Sequence, residues 1–181
     1  MATITAADVA KLRRMTLAGM MDCKKALEEA NGNFDKAIEI IRKKGQAVAN
    51  KRADRKAGEG AVLAKVSPTG NLGILIVLNS ETDFVAKNAE FLGLANNILN
   101  IALVNNPSNL ESLKSLQING TLIADKIVEY IGVIGEKIEL SYFDKIEAPY
   151  VQAYIHPGNR LATIVGFNKA GNDVQVYKDI A

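Results

Sequence analysis

The 181-residue chain has one cysteine, one histidine, no tryptophan and four prolines. One cysteine, Cys23, cannot build an internal disulfide framework, and a bacterial-type cytoplasm is the natural compartment. By itself a lone cysteine reads as a small buried hydrophobe before it reads as a nucleophile. Zinc sites take about four Cys, His or acid ligands, and nucleophile–base pairs usually need a histidine. His156 alone provides for neither. No GxxxxGK[ST], GxGxxG or HExxH spacing occurs, so no phosphate-cradling loop or metalloprotease helix is expected. Acid pairs such as Glu28-Glu29 fall on a helix surface and read as solvated. No apolar run approaches the ~20 residues needed to cross a bilayer. The first residues, MATITAADVAKLRR, lack an apolar signal core and carry acid early, so they do not read as a secretory or transit peptide. No enzyme chemistry, metal, cofactor or membrane association is expected.

What is present looks globular. Hydrophobic residues make up 48% and charged ones 23%, which suits one domain or two small ones and argues against disorder. The net charge of +2 hides an uneven spread. Residues 1–41 carry six basic and six acidic side chains, residues 42–56 seven and one, and residues 57–181 nine and thirteen. The basic segment, RKKGQAVANKRADRK, could touch RNA phosphate or an acidic partner surface, or be a solvated connector.

The pattern predicts an α+β chain. Thr5-Ala6-Ala7-Asp8 matches a capping box, followed by Val9, Leu12 and Met15 at helical spacing. After a turn at Gly19, Met20, Cys23, Leu27 and Ala30 repeat, and Asn31-Gly32 ends that helix. Asn33 caps a third helix bearing Phe34, Ala37, Ile38 and Ile41, which Gly45 is expected to close. Residues 46–58 then read as a basic linker, helical or frayed. Strands are predicted over 62–66 and 72–78 with a turn between them. Next comes one helix from about Asp83 to Val104, with Phe84 or Val85 on its apolar side and Pro107 beyond its end. Helical segments at 109–116 and 119–133 and a strand at 137–143 complete this part.

An internal repeat is also legible. VLAKVSPTGNLGILIVLN (62–79) aligns with VQAYIHPGNRLATIVGFN (151–168) if one residue is gapped in the turn. Both read as hairpins. The second continues through Asn172 and Asp173 to Tyr177, where its helix would be starting, so the chain is expected to be a shortened form of a longer protein. The expected divisions are a three-helix module at 1–45, the linker at 46–58, a first core subdomain at 59–143 and a partial second one at 144–181.

Two long stretches carry a family resemblance. LRRMTLAGMMDCKKALEEANGNFDKAIEIIRKKG (12–45) closely resembles the amino-terminal module of the bacterial elongation factor Ts family. SETDFVAKN (80–88) resembles that family's second signature, and the likeness continues through VIGEKIEL (133–140) and YIHPGNRLATIV (154–165). The resemblance implies a cytoplasmic guanine-nucleotide exchange factor, not an enzyme, with a ubiquitin-associated-like (UBA-like) bundle ahead of two related subdomains. Its implied partner is elongation factor Tu, GDP-bound and nucleotide-free, with no membrane and no direct nucleic-acid binding. An RNA-binding translation accessory protein using 42–56 is the alternative reading.

The residues carried over are Thr82, Asp83, Phe84 and Val85, which in the family lead to loss of the partner's magnesium ion. Phe84 is the implied wedge, although composition alone favours a core phenylalanine. Met20, Met21, Lys24, Ile134, Gly135 and His156 match further partner contacts. Full-length relatives are implied to carry more of the second subdomain and a carboxy-terminal module, which leaves room for a homodimer. Leu17 departs from the family pattern, standing where a glycine is usual. A positive φ there would cost stability.

Overall fold

The computed structural model describes residues 4–169 and 174–181. Asn172 and Asp173 lie outside the described residues. In chain order the elements are α1 (Ala6–Thr16), α2 (Met20–Glu29), α3 (Phe34–Arg52), β1 (Glu59–Val66), β2 (Leu72–Ser80), α4 (Asp83–Ala86) and α5 (Ala89–Asn105). They continue with α6 (Leu110–Lys114), β3 (Gln117–Ile118), β4 (Thr121–Leu122), α7 (Ile123–Ile134), β5 (Glu139–Glu147), β6 (Tyr150–Ile155), β7 (Ala162–Phe167) and α8 (Val174–Ile180). Helices and antiparallel strands are largely segregated, an α+β arrangement. Packing separates two compact units. One holds the residues up to Lys56 together with Ala124–Ile138, the other Ala57–Ile123 and the chain from Glu139 onward.

In the first unit, α1 begins with the expected capping box. The Asp8 amide donates to Thr5 Oγ1 at 3.2 Å and the Thr5 amide to Asp8 Oδ2 at 3.0 Å. Two helix-start donors are thus satisfied at once. Leu12, Cys23, Leu27 and Ala37 are fully buried between α1, α2 and α3. Cys23 is therefore core, and burial raises its thiol pKa.

Gly45 does not end α3. The helix runs on to Arg52, because this glycine serves a close approach and not a cap. A methyl at Gly45 would stand 2.7 Å from the Val128 carbonyl oxygen, and one at Gly132 would stand 2.7 Å from the Gly45 Cα. Backbone meets backbone where α3 crosses α7. Beside that crossing Glu129 is 5% exposed, with Lys126 Nζ at 2.9 Å and Arg42 Nη2 at 3.5 Å. Two cations offset the cost of burying its charge.

In the second unit β2 is the middle strand of β1-β2-β5, antiparallel to both neighbours. Ile74, Ile76 and Leu78 are fully buried, and α5 packs over β1 and β2 with Phe91, Ala95 and Ile98 inward. Hairpin β6–β7 packs on the same sheet. A Cβ on Gly73 would lie 2.6 Å from Val151 Cγ1, so the missing side chain makes room for that hairpin. Helix α8 lies against β6, with the Tyr177 ring 4.4 Å from both Tyr150 and Phe167.

Three expected boundaries are corrected. The single helix from Asp83 to Val104 is two helices, because Asn88 leaves the helical conformation and caps α5 with its side chain on the Glu90 amide. The segment at 119–133 starts later. Asn119 (φ 51°) and Gly120 (φ 82°) both take positive φ and turn the small hairpin β3–β4, as a two-residue hairpin loop requires. Strand β5 extends to Glu147, four residues past the expected end at Phe143, because it pairs along β2 as far as Leu72.

Leu17 closes α1 at φ 61° and is 41% exposed. A left-handed non-glycine residue costs roughly 1–2 kcal/mol, so Leu17→Gly should raise the denaturation midpoint. An unchanged or lower midpoint would mean that the leucine side chain offsets its backbone strain. Gly132→Ala should lower stability by about 1–3 kcal/mol, read as earlier urea unfolding. No loss would show that the α3–α7 crossing can spread at little cost.

Candidate partner-binding site

The end of β2 builds the first part of the site. Ser80 is buried, and its Oγ donates to the Thr82 carbonyl at 2.9 Å. Thr82 is extended (φ −122°, ψ 154°) and its side chain accepts from the Val85 amide at 3.4 Å, which starts α4. That helix lasts one turn. Asn88 then restarts the chain as α5, so Thr82–Val85 forms an elbow between two capped helix starts.

Phe84 stands at this elbow with 84% of its surface exposed, more than any other large hydrophobic residue among those described. Thr82, Asp83 and Val85 are half-buried. Asp83 accepts from Lys87 Nζ at 2.7 Å. That bond and the Lys87 charge hold the Asp83 pKa below the ordinary aspartate value, and Arg160 adds a smaller pull in the same direction. Asp83 is thus paired within its own helical turn, with the residue four positions on.

His156 lies in the exposed β6–β7 turn of the same unit. Its Nδ1 is 3.0 Å from the Tyr154 hydroxyl, and its carbonyl accepts from the Asn159 amide at 3.0 Å. Two contacts tie this turn to β1: the Val62 amide donates to the Asn159 carbonyl at 2.7 Å, and Arg160 Nη2 donates to Glu59 Oε2 at 2.7 Å. Glu59 is the cross-strand partner of Ser80. The elbow and the His156 turn therefore share one end of the second unit.

The other carried-over residues belong to the first unit. Met20 (44% exposed) and Met21 (63%) line a groove of about 290 Å³ with Lys24, Ile4, Thr5 and Val9. Ile134 is half-buried at the end of α7, and Gly135 follows at φ 77°, its amide donating to the Ile131 carbonyl at 2.8 Å. The basic segment is mostly the second half of α3. Arg42 pairs with Asp125 and Glu129, Lys43 with Glu39, and Lys44 with Asp22. Lys51, Arg55 and Lys56 are exposed.

Sequence reasoning passed over Ser80, Arg160 and the groove wall at Ile4 and Val9. Ser80 was open to discovery, since alternation from Ile74 puts it on the core face. Arg160 had no such signal. Among the described residues no group of three or more His, Cys, Asp or Glu could hold a metal ion, and no helix is long and apolar enough to cross a membrane.

The family model described as elongation factor TS matches residues 81–181. The chain belongs to the elongation factor Ts family. It is 55% identical over 170 residues to elongation factor Ts of Christiangramia forsetii, an alignment covering 94% of this chain and 61% of that protein. Against the Porphyromonas gingivalis protein of the same name the identity is 53% over 179 residues, covering 98% and 64%. The Flavobacterium psychrophilum protein gives 51% over 175 residues, covering 97% and 63%. The chain thus spans less than two thirds of the length of these elongation factor Ts relatives. The match begins at Glu81, so it takes in the whole elbow from Thr82 to Val85.

The Asp83 carboxylate supports the elbow while it is ionised, and that support is lost as pH falls through its depressed pKa. In a nuclear magnetic resonance titration Asp83 should have a midpoint below the ordinary aspartate value, and Lys87→Met should move it upward. A midpoint indifferent to Lys87 would remove that pair as the cause.

Proposed function

We propose that this chain is a guanine-nucleotide exchange factor that binds elongation factor Tu carrying GDP, displaces its magnesium ion and promotes GDP release during translation elongation. Family membership supports the partner class. The observation that carries the reading is Phe84, a large apolar ring held 84% exposed on a braced elbow. GTPases hold GDP through P-loop amides and a phosphate-bound magnesium ion. A binder shifts that equilibrium only through preference for the loosened state. A rigid ring that enters a pocket open only in that state supplies such a preference, and its ordering cost is low because the backbone beneath it is already fixed.

In this reading Thr82, Asp83 and Val85 present the wedge, and His156 contacts the partner from the same end of its unit. Met20, Met21 and Lys24 give an adaptable surface on the amino-terminal module, where flexible methionines suit a contact face. Ile134 and Gly135 add a further contact. The compact core of α1 to α3 supports a UBA-like module, and hairpins β1–β2 and β6–β7 support two related core subdomains. The acid partners of Arg42, Lys43 and Lys44 reduce the free positive charge of the basic segment, which suits a factor without direct nucleic-acid binding. The compartment is the cytoplasm, and a homodimer would belong to the full-length form.

The test is release of a fluorescent GDP analogue from elongation factor Tu. The parent chain should speed release, and Phe84→Ala should lose about tenfold or more of that effect, as buried aromatic anchors do. Its folding stability should change by only about 0.5 kcal/mol or less, the scale of an exposed substitution. Equal acceleration by both chains would remove Phe84 from the mechanism. No acceleration by the parent at stoichiometric excess would overturn the exchange reading for this chain.

A further inference from the structure

Ser80 is 0% exposed. It ends a strand whose alternate residues Ile74, Ile76 and Leu78 are equally buried and aliphatic. A hydroxyl in such a row is unfavourable unless it is bonded, and the bond it makes is to the Thr82 carbonyl, at 2.9 Å. That carbonyl also accepts the first α4 bond, from the Ala86 amide at 3.2 Å. Two donors on one oxygen fix the plane of the Thr82–Asp83 peptide, and the direction in which Phe84 leaves the backbone follows from that plane. The strand end is fixed in turn. Ser80 is paired across the ladder with Glu59, the Asn79 side chain donates to the Glu59 carbonyl at 3.0 Å, and Arg160 holds the Glu59 carboxylate.

We infer that Ser80 is a positioning residue for nucleotide exchange: its buried hydroxyl sets the start of α4 and so holds Phe84 outward. The inference rests on the exchange reading given above. Ser80 has no surface with which to meet a partner, so any effect it has on exchange must pass through the elbow. Arg160, which is exposed, has no such constraint.

The variants are Ser80→Ala and Ser80→Cys, the second retaining a weak donor of similar size. Amide hydrogen exchange in the full chain gives a readout independent of the partner. Ser80→Ala should speed exchange about fivefold or more at Val85, Ala86 and Lys87, the scale of one lost hydrogen bond, and leave Ile74 and Ile76 unchanged. Ser80→Cys should fall between. In the GDP-release assay at saturating chain, Ser80→Ala should lower the rate about fivefold. Combined with Phe84→Ala it should lower the rate no further, because both changes act through one group.

A uniform rise in amide exchange along β2 would make Ser80 a plain core residue and overturn the inference. So would multiplying effects in the double variant. If Ser80→Ala fails to fold, Ser80→Cys carries the same comparison. The localised amide pattern together with a parent chain that does not speed GDP release would uphold the positioning of Phe84 and sink the exchange reading instead.

Discussion

Strand β2 is hydrogen-bonded along both edges, and each of its faces meets a different neighbour. Ile74, Ile76, Leu78 and Ser80 turn to the face covered by α5, while Gly73 opens the opposite face to Val151. A slip of one residue would turn Leu75, Val77 and Asn79 toward α5 and take the Ser80 hydroxyl off that face. This strand ends where the elbow begins, so the rigidity of its pairing passes directly into the backbone that carries Phe84. The neighbouring strands, the long helix and the second hairpin are all placed with respect to β2.

The elbow results from competition between two local preferences. Residues 83–105 have enough helical character for one continuous helix, yet Thr82 and Asn88 are both strong caps, six residues apart. Each cap satisfies backbone donors that would otherwise be unpaired. The second cap interrupts the helix after one turn and removes Phe84 from the apolar stripe that α5 buries. An exposed phenylalanine is thus stabilised by what surrounds it, and the ring itself contributes almost nothing to the fold.

The helix starts of the bundle, the two hairpins and the burial of Cys23 were legible because they rest on short-range chemistry, namely caps, turns and periodicity. The repeat located both hairpins without any knowledge of the sheet. Gly45 misled, since a glycine that ends a helix and a glycine that lets a second helix approach look alike until the second helix is known. Asn88 misled because N-cap residues also occur inside helices, and only the competing turn decides. The outward placing of Phe84 followed from the family signature, as composition placed it in the core. Arg160 depended on a partner 101 residues away in sequence, Glu59, which no local pattern encodes.

The crossing of α3 and α7 joins two stretches of chain separated by the whole of Ala57–Ile123. During synthesis the first three helices emerge well before the helix that packs against Gly45. At ribosomal rates of about 5–20 residues per second, that interval is roughly 3 to 13 s. Through this time the Gly45 face of α3 is uncovered and the later partners of Arg42 do not yet exist. The amino-terminal bundle is therefore made before the sheet unit, and the helix that completes it arrives only after β1, β2 and α5.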